Sequence, residues 1–104
     1  MMSLILAVAT LSVAQEKVLA SGNKALGQFL SLECVTCHQA SGRFQGIPAI
    51  VGWPEATFIA VMNEYRSKKR PNPTMQTIAD RFSGDEIAAL AAYFGSLQVQ
   101  DKVK

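Results

Sequence analysis

The 104-residue chain has one histidine and two cysteines, and all three fall within the five residues Cys34-Val35-Thr36-Cys37-His38. A structural zinc site wants four Cys or His ligands in a tetrahedron. Three such residues crowded into one short turn leave a protein-only zinc centre without its fourth ligand. Charge is missing from the start of the chain, because all ten Lys and Arg and all eight Asp and Glu follow Ala14. The resulting formal charge of +2 is too mild to indicate nucleic acid as a partner. No apolar run is long enough for a mature membrane span, since the longest, Leu4 to Val13, falls well short of the roughly 20 residues a helix needs to cross a bilayer. Buried parallel strands are missing too, so a thioredoxin-type C-x-x-C lacks the βαβ surroundings it normally has.

The opening stretch MMSLILAVATLSVAQ is nevertheless informative. Its apolar segment runs into Ser12-Val13-Ala14, small residues where a signal peptidase would act, so residues 1–14 read as a secretory signal removed near Ala14 to Gln15, which implies export to the periplasm. Residues 15–104 then form a single domain, with 98–104 as a loose tail. A domain of about 90 residues has a marginal core unless a disulfide, a metal or a bound cofactor adds to it.

After the signal, apolar residues recur with helical spacing, and the expected fold class is all-α. Leu26, Phe29 and Leu30 mark one face of a helix expected from about Ser21 to Cys34, which delivers the cysteine motif at its C-terminal end. Gln39 to Gly52, rich in Gly, Ser and Pro, is a loop. Pro54 suits the first position of a second helix, carrying Phe58, Val61, Met62 and Tyr65 and stopping around RSKKRPNP. Met75, Ile78, Ala79 and Phe82 form a short apolar stripe. Ser83-Gly84-Asp85-Glu86 reads as a capping box, opening a last helix with Ile87, Leu90, Ala91 and Phe94, and Gly95 is placed to end it.

C-x-x-C-H is the attachment signature of a c-type haem. Two intervening residues let both sulfurs reach the two vinyl groups on one porphyrin edge, and the adjacent histidine can then ligate iron. The competing use of the motif is a local disulfide with an incidental histidine. In the haem reading, Cys34 and Cys37 carry one covalent haem c and His38 is one axial ligand. A thioether as second ligand raises the potential and blocks small-molecule access. Of the four methionines, Met1 and Met2 belong to the signal and Met62 sits within a helical apolar stripe, where core packing is the ordinary role. Met75 follows RPNPT, a proline-bracketed turn that can aim a side chain while the helix behind it packs, and is the expected second ligand. Metal-bound histidines usually donate their other ring N–H to a carbonyl or carboxylate. The Pro48 carbonyl in GIPAI is the expected acceptor for His38.

Taken together, CVTCH, GIPAIVG, NPTM and SGDEIAALAAYFGSL resemble a monohaem bacterial class I cytochrome c. The final segment is similar to the closing helix of dihaem bacterial cytochromes c and of the cytochrome subunit of flavocytochrome c sulfide dehydrogenase, and FIAVMNEYRSKKRPNPTM leans toward the same group. The resemblance implies three to five helices around one covalent haem, attachment at Cys34 and Cys37, ligation by His38 and Met75, a structural carbonyl at Pro48, and a crossing of the first and last helices near Gly27 and Tyr93. With a single C-x-x-C-H, the chain has one such haem site.

The functional expectation is periplasmic electron transfer without bond chemistry of its own. On the resemblance alone, the chain is the haem subunit accepting electrons from a flavoprotein sulfide dehydrogenase, and the alternative is a free soluble shuttle to an oxidase or another dehydrogenase. A haem enzyme or gas sensor with an open distal site fits less well, because the sole histidine is committed and no acid–base group is left for peroxide cleavage. Arg66, Lys68, Lys69 and Arg70 form a basic run beside the ligand loop. It serves either as a solvated helix end or as a patch steering an acidic partner.

Overall fold

The computed structural model describes residues 22–43 and 46–98. The expected signal (1–14), the start of the first helix at Ser21, and all but the first residue of the expected tail (98–104) lie outside the described residues. Among those described there are four α-helices and no strands: α1 (Lys24–Leu30), α2 (Glu55–Arg66), α3 (Pro73–Ala79) and α4 (Gly84–Gly95), with a 3₁₀ turn at Ser31–Glu33 directly after α1. No helix among them is long and apolar enough to cross a membrane.

Three of the four described helices start where a side chain accepts from one of the first N–H groups. Asn23 Oδ1 accepts from the Leu26 N–H at 3.0 Å, and Asn72 Oδ1 accepts from the Met75 N–H at 3.0 Å. At α4 the capping box is complete, with the Ser83 N–H donating to Glu86 Oε1 at 2.8 Å and the Glu86 N–H donating to Ser83 Oγ at 3.2 Å. Pro54 proves to be the N-cap of α2 rather than its first residue. Its ψ of 137° is not helical, and its carbonyl is the first to accept, from the Phe58 N–H at 3.1 Å.

The face that α1 buries differs from the one its apolar spacing suggests. Phe29 is 69% exposed, Leu26 is exposed as well, and Leu30 is only half-buried. Gly27, Ser31 and Cys34 are the buried positions instead, a row of small residues at i, i+4, i+7. The cause is how closely α1 crosses α4. A Cβ placed on Gly27 would overlap the Ala89 carbonyl oxygen and lie 2.6 Å from its carbon and 2.9 Å from Tyr93 Cβ. Backbones this near leave no room for leucine or phenylalanine, so the large side chains turn outward. Phe29 and Leu32 line an open groove of about 410 Å³ with Phe82, beside the Glu33–Arg81 ion pair at 3.7 Å.

The opposite side of α4 forms the core. Ile87, Leu90 and Phe94 are fully buried, each worth about 1.5–3 kcal/mol of apolar burial. Phe94 stacks on Phe58 of α2 with centroids 5.8 Å apart, and Trp53 meets Phe58 edge-on at 6.3 Å. The long segment between α1 and α2 returns to this core through the Gly52 N–H, which donates to the Phe94 carbonyl at 2.8 Å. Gly95 is the last residue of α4, and Ser96 is its C-cap. A Cβ on Gly95 would lie 3.0 Å from the Trp53 carbonyl oxygen, so the glycine serves a close approach.

At the end of α2, Lys68 adopts φ 65°, the left-handed region usually left to glycine. The Lys69 N–H donates to the Glu64 carbonyl at 2.9 Å and the Lys68 N–H to the Tyr65 carbonyl at 3.1 Å, which together make a Schellman cap. The expected result of Lys68→Gly is therefore a gain in stability of about 1 kcal/mol, read as a higher denaturant midpoint at unchanged slope.

Candidate functional site

The motif residues continue the winding begun by α1 and its 3₁₀ turn. The Cys34 and Val35 N–H groups donate to the Ser31 carbonyl at 2.8 and 3.0 Å, and the Cys37 and His38 N–H groups donate to the Cys34 carbonyl at 3.1 and 2.7 Å. This turn places Cys34, Cys37 and His38 at i, i+3 and i+4, on one side. Cys34 is buried, Cys37 exposed and His38 half-buried, so the three straddle the edge of the apolar core. Among the described residues they do not converge with other His, Cys, Asp or Glu side chains as a protein-only metal centre would.

Both cysteines are free thiols. Burial pushes the Cys34 thiol up to about 11, with the neighbouring Glu33 and Cys37 adding to the shift. A dithiol built for exchange chemistry depresses the pKa of its attacking cysteine. Cys34 goes the other way and stays protonated at neutral pH, so it is not the attacking thiol of such a pair.

His38 Nδ1 lies 2.6 Å from the Pro48 carbonyl oxygen. A carbonyl only accepts, so Nδ1 carries a proton, and in the neutral ring this leaves the lone pair on Nε2. The loop from Gln39 to Gly52, irregular wherever it is described, thereby fixes both the tautomer and the ring direction of the chain's one histidine.

Met75 stands in the first turn of α3, half-buried against the apolar cluster that also contains Cys34. Met62 is 5% exposed inside that same core. The structure thus puts the Met75 side chain and the Cys34 sulfur on one apolar cluster, and Met75 is the methionine at its margin.

The basic run divides in two. Arg66, Lys68 and Lys69 are exposed, but the Arg70 guanidinium is held by Glu64 Oε1 at 2.7 and 3.1 Å and lies 5.7 Å from the Tyr65 ring centre. Sequence reading missed Asn72, Gln76 and Glu64, which organise the turn ahead of Met75. Asn72 was within reach, since Asn directly before a proline at the first helical position is a recognisable start signal. The Glu64–Arg70 contact spans six residues across a turn and follows no periodicity.

The donor set fits a haem: two free thiols on one turn, an imidazole held at Nδ1 by a carbonyl, and a thioether at the margin of the adjoining core. No family model matches the chain. Over 72 residues it is 32% identical to the cytochrome subunit of sulfide dehydrogenase from Chlorobaculum tepidum, a stretch covering 68% of this chain and 66% of that protein's length, just under two thirds of it. The chain is cytochrome c-like in sequence, and the four helices among the described residues form the small all-α fold that goes with that likeness.

Proposed function

From this cytochrome c-like fold we propose that the chain carries one covalent haem c and passes single electrons through it in the periplasm. Cys34 and Cys37 hold the group by thioethers, and His38 Nε2 and Met75 Sδ are its axial ligands. The bound haem supplies a one-electron couple. The chain's own residues hold it, orient the imidazole and keep water and small ligands from the iron. The observation that carries this reading is the 2.6 Å contact from His38 Nδ1 to the Pro48 carbonyl, made from a turn that sets both cysteines on the same side as the imidazole. It also accounts for how a domain this small holds together, because a porphyrin adds apolar surface to a modest core.

In this reading residues 1–14 are removed on export, and the mature domain is the haem subunit that takes electrons from a flavoprotein sulfide dehydrogenase. The likeness to a relative described as a subunit of sulfide dehydrogenase supports that choice over a free shuttle. The expected outcome is that such a flavoprotein, given sulfide, reduces the oxidised protein rapidly, while sulfide alone does not. Reduction no faster with the flavoprotein than without it would count against this partner. For the ligation, the oxidised protein should show the far-red methionine-to-iron charge-transfer band, and the reduced protein should resist carbon monoxide.

A further inference from the structure

The turn that joins α2 to α3 has few backbone ties of its own. Pro71 and Pro73 have no N–H to give, and among the described residues no backbone N–H from Pro71 to Thr74 finds a backbone acceptor. What holds this turn is a set of hydrogen bonds gathered on Glu64 and Arg70. The Glu64 carbonyl accepts from the Lys69 and Arg70 N–H groups at 2.9 and 3.2 Å, and its carboxylate accepts from Arg70 Nε and Nη2 at 3.1 and 2.7 Å. On the far side, Gln76 Nε2 donates to the Arg70 carbonyl at 3.0 Å. Gln76 is half-buried and directly follows Met75, so this bond ties the first turn of α3 to Arg70, which Glu64 in turn holds to α2.

We propose that Gln76, acting through Arg70 and Glu64, is a positioning residue that holds Met75 in place as the sixth iron ligand. The inference rests on the reading of Met75 as that ligand. It assigns Arg70 to the ligand turn, leaving Arg66, Lys68 and Lys69 as the exposed basic surface. Exposed contacts of this kind add little to global stability. Their effect falls on a smaller balance, between Met75 bound to iron and Met75 swung away while the rest of the protein stays folded. Without the Gln76 bond, the proline-bracketed turn gains freedom and the open form becomes more populated.

The test uses the haem-loaded protein with Gln76→Leu, which removes the donor, and Gln76→Lys, which keeps one. Imidazole affinity of the oxidised form reports how readily Met75 leaves, and guanidinium unfolding reports global stability. The expected result is that Gln76→Leu binds imidazole about tenfold more tightly, the worth of one hydrogen bond to the open–closed balance. Its unfolding midpoint stays near wild type, Gln76→Lys recovers most of the wild-type affinity, and Arg70→Leu behaves like Gln76→Leu. Unchanged imidazole affinity in Gln76→Leu, or a change matched by an equal loss of global stability, would overturn the proposal. A wild-type protein with no methionine-to-iron band would instead remove the reading beneath it, so the two failures are distinguishable.

Discussion

Met75→Ala is expected to give a folded, haem-bound protein that lacks the far-red methionine-to-iron band, binds imidazole or carbon monoxide readily, and has a lower reduction potential. The fall should be on the order of 100 mV, a fraction of the ~0.8 V range over which axial ligands set haem potentials. Folding tolerates the change because Met75 is only half-buried at the core's margin, so truncation opens little internal cavity. Met62 supplies the contrast. It is 5% exposed within the core, so Met62→Ala should cost about 2–5 kcal/mol of stability and leave the band in place. If the two variants exchange these phenotypes, Met62 is the ligand and α2, not the first turn of α3, faces the iron.

Gly27→Ala is expected to destabilise the protein strongly, at about 3 kcal/mol or more. Alanine is ordinarily the better helix former, but here its methyl group would run into the Ala89 carbonyl and approach Tyr93 Cβ to 2.9 Å. The main obstruction is backbone, so Ala89→Gly cannot relieve it, and neither can Tyr93→Ala, which keeps its Cβ. The measurement is a denaturant midpoint for Gly27→Ala alone and with each second change. Full rescue by either would show that the helices can separate slightly at low cost and that the crossing is looser than the structure has it. Because α1 leads directly into the turn bearing Cys34, Cys37 and His38, loss of this crossing should also lower the yield of haem-loaded protein.

How much of this was readable in advance depends on whether the signal is local. The Ser83–Glu86 capping box, the helical period of α4, and the proline turns bounding α2 and α3 are all short-range features, and each element lies where its residues place it. The buried face of α1 was not readable from hydrophobicity, because Gly27, Ser31 and Cys34 are selected by closeness to α4, a tertiary fact that apolar spacing does not record. The resemblance of the whole pattern to class I cytochromes pointed to that crossing where periodicity did not. At the site, C-x-x-C-H is what points to a haem, and the short loop through Pro48 limited which carbonyl could meet His38. Arg70 escaped because four cations in five residues look alike in sequence, and only the folded turn shows that one is held by Glu64 while its neighbours face solvent.

A haem bonded to Cys34 and Cys37 is tested most directly by the intact mass of the exported, denatured protein. The expected mass is that of the polypeptide beginning near Gln15 plus one haem, unchanged by acid–acetone extraction. It should fall to the bare polypeptide when Cys34 and Cys37 are both replaced by alanine. A wild-type mass equal to the bare chain, or to the chain less two hydrogens as a Cys34–Cys37 disulfide would give, contradicts it.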